Sequence, residues 1–179
     1  MLSFRSARAA DAALISRIFA RSWRGLYREV IDPDYLDRLP EEYWVPSVRS
    51  WLESGQFSGL FICINDVPVG CVIYGGGRDE AYAGWGEIAS LYLLPDYAGM
   101  GLGSRLLGEA LRLLRQDGYK NVYLWAIEGS RAAKGFYARH GFSRTEEAVD
   151  YRIGARPVRD VRYVLEAAPL QRSAAKEVP

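Results

Sequence analysis

Three glycines carry the first chemical signal in this chain. Gly99, Gly101 and Gly103 lie in a short loop, AGMGLG, between an apolar stretch that ends near Pro95 and a leucine-rich stretch at helical spacing. Glycine reaches backbone conformations that strain other residues and lets amide N–H groups approach a ligand without a Cβ in the way. A helix starting near Gly101 leaves its first-turn N–H groups without partners and puts partial positive charge on the same spot. The amides of Gly99, Gly101, Gly103 and Ser104 are therefore suited to an anion, and phosphate is the natural occupant. Spacing narrows the choice. A Walker loop needs Gly-Lys-Ser/Thr at the helix start, but Gly103 is followed by Ser104 and Arg105. A Rossmann loop wants its third glycine where Ser104 stands and an acidic residue about twenty positions on, at the end of the next strand. That strand, NVYLWAI, runs instead through Glu128 and Gly129 into Ser130. A nucleotide-dependent kinase or reductase does not fit.

A second pattern follows the first. Ser130, Ala133, Phe136, Tyr137, Gly141 and Phe142 occupy a helix and the turn after it. From Glu87 to Phe142 the chain resembles the GCN5-related N-acetyltransferases (GNAT), which move acetyl from acetyl-CoA to an amine. The family loop reads Gln/Arg-x-x-Gly-x-Gly/Ala; Gly101 and Gly103 match, and Ala98 stands where the polar residue is usual. The family's Asn-x-x-Ala-x-x-Phe-Tyr, followed by Gly-Phe, matches except that Ser130 replaces Asn. Both patterns come in the family's order and separation.

The resemblance implies a cosubstrate, acetyl-CoA, and a set of roles. Glu87 lies eleven positions before Ala98, where some family members carry a catalytic base. An ammonium with a pKa of about 10 is mostly protonated at neutral pH, so a carboxylate, acting directly or through water, relieves that block. The plainer reading of Glu87 is a strand-end carboxylate facing solvent or paired with an arginine. Tyr137 falls at the family's general-acid position, with Ala133 one turn away leaving room; the plainer reading makes Phe136 and Tyr137 core aromatics. Leu91 and Leu93 are expected as backbone contacts to the pantetheine arm, where the strand splays at a bulge, and an amide near Leu91 would face the thioester oxygen. Ala98 removes a side chain that orders the loop, and Ser130 shortens the reach to pantetheine while making a good helix N-cap. Arg131 and Lys134 could meet the CoA phosphates or be solvated surface charge.

These residues need elements to hold them. The expected architecture is α/β: a mixed, mostly antiparallel central sheet of about seven strands flanked by helices, GNAT-like. Residues 2–5 read as a first strand, and Asp11 can cap an amphipathic helix with Leu14, Ile15, Ile18 and Phe19 on one side. A helical, aromatic-rich region continues to about residue 54, broken at Asp32-Pro33, Pro40 and Pro46. Strands are expected at 59–64 and 67–74, joined at Asn65-Asp66, and at 84–94, entering the glycine loop. The helix after the loop puts Leu102, Leu106, Leu107, Ala110, Leu111 and Leu114 on one face. A strand at 121–127, a helix at 130–140 and strands at 145–152 and 158–165 complete a single domain over 1–166, with a polar tail at 167–179.

The acceptor pocket is expected to come from the N-terminal helices, the loop 75–80 and the last two strands. There Trp23, Tyr27, Tyr35, Tyr43, Trp44 and Tyr151 could hold an amine by cation–π contact, strengthened by Asp79 or Glu80, although most such aromatics serve a core. His140 reads as a helix-end cation or exposed residue.

Composition sets the remaining bounds. A chain of 179 residues, 49% hydrophobic and 25% charged, fits one soluble domain. A net charge of +1 gives no reason to expect nucleic acid or an anionic membrane as partner. The first residues lack a secretory h-region, and Cys63 and Cys71 sit in apolar strands as reduced thiols, so a cytoplasmic location is expected. With one histidine, no metal site is expected. Two functions stay open: an N-acetyltransferase acting on a primary amine of a small molecule or protein by direct attack in a ternary complex, and a non-catalytic acyl-CoA-binding regulatory protein. Assembly is open between a monomer and a homodimer.

Overall fold

The computed structural model describes residues 1–167. Runs of β-branched and aromatic residues punctuated by turn residues give seven strands, and leucine-rich stretches at helical spacing give the helices. In chain order these are β1 (Leu2–Ala7), α1 (Ala12–Leu26), α2 (Pro33–Arg38), α3 (Val45–Glu53), β2 (Phe57–Ile64), β3 (Val67–Gly76), β4 (Gly86–Leu93), α4 (Leu102–Gln116), β5 (Val122–Ile127), α5 (Arg131–Arg139), β6 (Ser143–Ile153) and β7 (Arg156–Leu165). The sheet order is β1-β2-β3-β4-β5-β7-β6, and only β4 and β5 pair in parallel. The expected mixed, mostly antiparallel sheet is what forms. Several strands run longer than their sequence pattern indicates; β2 starts at Phe57, and β6 begins at Ser143 and ends at Ile153.

Local chemistry explains the joints. The β2–β3 turn needs left-handed backbone at both central positions, and Asn65 (φ 48°) and Asp66 (φ 66°) supply it. At α1 the expected cap differs: Asp11 stands at the N-cap position without a side-chain cap bond. Its carboxylate instead takes two hydrogen bonds from the Arg5 guanidinium and one from the Arg8 amide, so a charge-assisted pair outcompetes the cap. Ser130 does cap α5, its hydroxyl accepting from the Ala133 amide at 3.3 Å.

Two layers of helix bury the two faces of the sheet. On one, α4 and α5 place Leu106, Leu107, Ala110, Leu114 and Tyr137 against Val72, Ile88, Leu124, Val161 and Tyr163. On the other, α1 and α3 cover β2 and β3 through Ile15, Ile18, Phe19 and Val48, and a smaller cluster of Tyr27, Ile31, Leu36, Ile127, Ile153 and Val158 lies between α1, α2 and the last strands. Cys63 and Cys71 are free thiols buried in this layer, and burial pushes the Cys71 thiol far above its ordinary pKa. Among the described residues no helix is long and apolar enough to cross a membrane. Most of the tail expected at 167–179 lies outside the described residues.

Candidate active site

The site begins where β4 and β5 part. Their parallel pairing lasts only from Gly86↔Val122 through Glu87↔Tyr123 to Ile88↔Leu124. At the same point the β3–β4 register slips between Ile73 and Tyr74, so that Ala89 has no partner, a bulge that turns the strand. Beyond it, Leu91 and Leu93 still pair with Val72 and Gly70 on β3. The Leu94 amide donates to Val69 on β3, so period-two alternation turns the amides of Leu91 and Leu93 toward the gap. The Leu93 carbonyl is already taken, accepting from Ser22 Oγ at 2.6 Å. Inside the splay lies a recess of about 40 Å³, bounded by Ser90, Leu91, Tyr92, Ala126, Ala133 and Tyr137 among others. The Ser90 hydroxyl is buried and has no partner among the described residues.

The glycine loop stands at the end of β4. Gly99 and Gly101 both have φ of +76°, the left-handed region that other side chains enter only with strain, and Gly101 is the N-cap of α4. The first bond back into the helix runs from the Arg105 amide to the Gly101 carbonyl, so the amides of Leu102, Gly103 and Ser104 precede it without intrahelical partners. Gly103 has a packing reason: a Cβ there would stand 3.4 Å from the Phe136 ring, the aromatic that closes α5 onto α4. Ala98, Gly99 and Ser104 are exposed, as are Arg131 and Lys134 on α5.

Tyr137 projects from α5 into the recess. It is buried, packed against Phe142 and Tyr163 with ring centroids 5.7 and 5.8 Å away. Burial pushes its phenol far above the ordinary tyrosine pKa, so it stays protonated through the whole working range of an enzyme. His140 ends the same helix, its Nδ1 2.8 Å from the Phe136 carbonyl.

A larger cavity of about 340 Å³ opens on the opposite side of the splay. It shares Tyr27, Ile88, Ala89, Tyr92, Trp125 and Ala126 with the recess, so the two spaces adjoin. Glu87 lines it and is 2% exposed. Arg78 grips its carboxylate, Nη2 to Oε1 at 2.5 Å and Nε to Oε2 at 3.1 Å, while the Arg78 amide and the Tyr123 hydroxyl also donate to Oε2. The hydrogen bond and charge of Glu87 raise the Arg78 pKa above its ordinary value. Beside this pair Arg162 is stacked against Tyr82, Trp125 and Tyr123 at 4.0, 4.4 and 5.0 Å, bonded to Asp79 and 3.3 Å from Glu147. Arg78 and Asp79 thereby fasten the loop between β3 and β4 to the floor of the site.

Of the aromatics expected around an acceptor, Trp23, Tyr27 and Tyr151 line the cavity. Tyr35 packs in the small cluster beside it, Trp44 in the α1–α3 layer, and Tyr43 is 55% exposed. Asp79 does not join them, because Arg162 holds its carboxylate, and Glu80 is exposed outside the cavity. Sequence reasoning missed Arg78, Tyr92, Trp125 and Asp160, all of which line it. The available signal was β7, where Asp160 and Arg162 fall on the same inward face as the buried Val158.

A splayed parallel strand pair, a glycine-opened helix start at its end and a buried phenol in the gap fit an enzyme that handles an acyl thioester of CoA. Comparison with known proteins agrees. Residues 20–142 match the model of the acetyltransferase (GNAT) family, and the chain belongs to that family. It is 29% identical to the uncharacterized N-acetyltransferase YuaI of Bacillus subtilis over 134 residues, 72% of this chain and 73% of that one. It is 27% identical to the probable N-acetyltransferase Rv2775 of Mycobacterium tuberculosis over 79% of each. The fold matches the crystal structure of PaiA N-acetyltransferase from Thermoplasma acidophilum in complex with coenzyme A, with a TM-score of 0.72 at 16% identity over 93% of this chain and 99% of that one. The protein is an acetyl-CoA-dependent N-acetyltransferase. No finding favours the regulatory alternative.

Proposed function

We propose that the enzyme acetylates a primary amine by direct attack within a ternary complex, with Glu87 as base and Tyr137 as acid. The observation that supports this reading is that Glu87 lines the larger cavity and Tyr137 the recess, and that the two share six lining residues. The pantetheine arm of acetyl-CoA would lie along the free edge of β4, against Leu91 and Leu93, with Ala133 leaving it room and Ser130 fixing the start of α5. Gly99, Gly101, Gly103 and Ser104 would hold the pyrophosphate, next to Ala98. Glu87 takes a proton from the acceptor ammonium, directly or through water. The amine nitrogen then bonds to the thioester carbonyl carbon, and the Leu91 amide faces the oxygen that gains charge. As the carbon–sulfur bond breaks, Tyr137 gives its proton to the departing sulfur, the second proton on the new amide nitrogen is released, and it restores the phenol through solvent while Glu87 gives up its proton to water. A cytoplasmic location fits the two free cysteines, and the near-neutral charge favours no nucleic-acid partner.

Thermal unfolding with acetyl-CoA, CoA, ATP and NADH in parallel tests the cosubstrate site. A ligand at about a hundred times its Kd stabilises by about 2.7 kcal/mol, which raises the midpoint of a domain this size by several degrees. The CoA compounds alone are expected to do so; a shift with ATP or NADH and none with acetyl-CoA refutes the site. The loop offers a gain of function as well. A guanidinium at position 98 adds a charge-assisted hydrogen bond of about 1.5 to 3 kcal/mol, so Ala98→Arg should tighten acetyl-CoA binding severalfold or more, measured by calorimetry. An unchanged Kd would mean that the backbone amides already saturate the pyrophosphate.

A further inference from the structure

Two carboxylates line the larger cavity, and they differ in one respect. Glu87 is neutralised by Arg78, whereas among the described residues Asp160 has no cationic partner. Its Oδ1 accepts from the Tyr151 hydroxyl at 3.0 Å. Its Oδ2 has no protein donor, yet it is not among the sealed, unpartnered polar atoms, so it stays open to the cavity. Burial holds the carboxyl above its usual pKa, partly offset by the Tyr151 bond. Arg162, two positions along β7, pairs with Asp79 and Glu147; its Nε and Nη1 are sealed without hydrogen-bond partners, and it does not line the cavity. Removing a carboxylate from water without a counter-charge is costly, and an arriving cation recovers that cost. Trp23, Tyr27 and Tyr92 line the same space, and aromatic rings attract a cation and not an anion, while Trp125 already carries the Arg162 guanidinium at 4.4 Å.

We propose that Asp160 and these aromatic walls hold the ammonium group of the acceptor, and that the acceptor is a small cationic amine with no carboxylate beside its amino group. The proposal rests on the acetyl-transfer reading and adds the substrate class. At about 340 Å³ the cavity is at the small end of small-molecule sites, so it suits a compact ligand better than a polypeptide. A carboxylate next to the ammonium would meet Asp160 with no free cation to answer it, since Arg78 is held by Glu87. Asp160 also lies beyond residue 142, outside the segment matched by the family model.

Three molecules of nearly one shape separate these terms: 2-phenylethylamine, 2-phenylethanol, which lacks the charge, and phenylalanine, which adds the carboxylate. Calorimetric titration of the full chain should show the amine binding about tenfold or more tighter than either of the others. In Asp160→Asn the preference over the alcohol should fall below about threefold. Equal binding of amine and alcohol by the wild type, or a preference that survives Asp160→Asn, overturns the proposal. The acetyl-CoA melting shift reports whether Asp160→Asn is folded; if it is not, the wild-type comparison decides alone. Thiol release with 2-phenylethylamine should show KM raised about tenfold in Asp160→Asn with kcat nearly unchanged. Binding preference without any thiol release would leave the cation site standing and remove the acetyl-transfer reading instead.

Discussion

Replacing Glu87 by Gln is expected to lower kcat by about a hundredfold near neutral pH, with the loss shrinking toward the pKa of the acceptor amine. The sign follows from what a base does here. Well below the ammonium pKa of about 10 the acceptor is protonated, and a carboxylate beside it gives that proton a place to go. In that window the wild type has a route that the amide variant lacks. Nearer pH 10 the amine loses its proton to water, both enzymes use the neutral amine, and the two rate profiles converge. Glutamine keeps an oxygen for Arg78 Nε and the Tyr123 hydroxyl but sets an NH2 donor against Arg78 Nη2 and removes its counter-charge, so the acetyl-CoA melting shift is measured alongside to show that the site stays folded. Parallel profiles for the two enzymes would remove Glu87 from catalysis and return it to the role of an ion-pair partner of Arg78.

The second large effect belongs to the leaving group. Tyr137→Phe removes one oxygen from the recess and leaves the ring packing against Phe142 and Tyr163 in place. Loss of a general acid is worth about two to four orders of magnitude, so kcat should fall at least a hundredfold while acetyl-CoA affinity stays nearly constant. Because burial keeps the phenol protonated well above neutrality, the wild type should show no loss of activity on the alkaline side that is due to this group. Wild-type kcat in Tyr137→Phe would contradict the assignment, and a matched loss of acetyl-CoA binding would show a packing role instead.

How legible these features were depends on how far apart in sequence their causes lie. The glycine loop and the α5 pattern are local: Gly101 needs its φ of +76°, Ser130 caps a helix that starts one residue later, and both are readable without knowing the sheet. The bulge expected before the loop lies at Ala89, and Leu91 and Leu93 follow it where β4 has parted from β5. The acceptor side was less legible because β7 inserts between β5 and β6, so the face of Asp160 follows from pairings with Ile127 and Val149 that no local pattern encodes. The fate of Asp79 was hidden for the same reason; the arginine that captures it is 83 positions away. The start of β6 escaped because its register slips between Arg144 and Ala148, which breaks the period-two alternation that marks a strand.

The short β4–β5 seam has a mechanical consequence. Four strands on one side and three on the other form two plates joined along three rungs, with the α4 core clamping them from beneath. Past the seam, no backbone hydrogen bond among the described residues crosses from one plate to the other. A thioester arm laid along the edge of β4 would act as a missing strand, so the molecule that brings the acetyl group would also stiffen the sheet that uses it. The acceptor would then meet a framework whose two halves have been drawn into register by the first substrate.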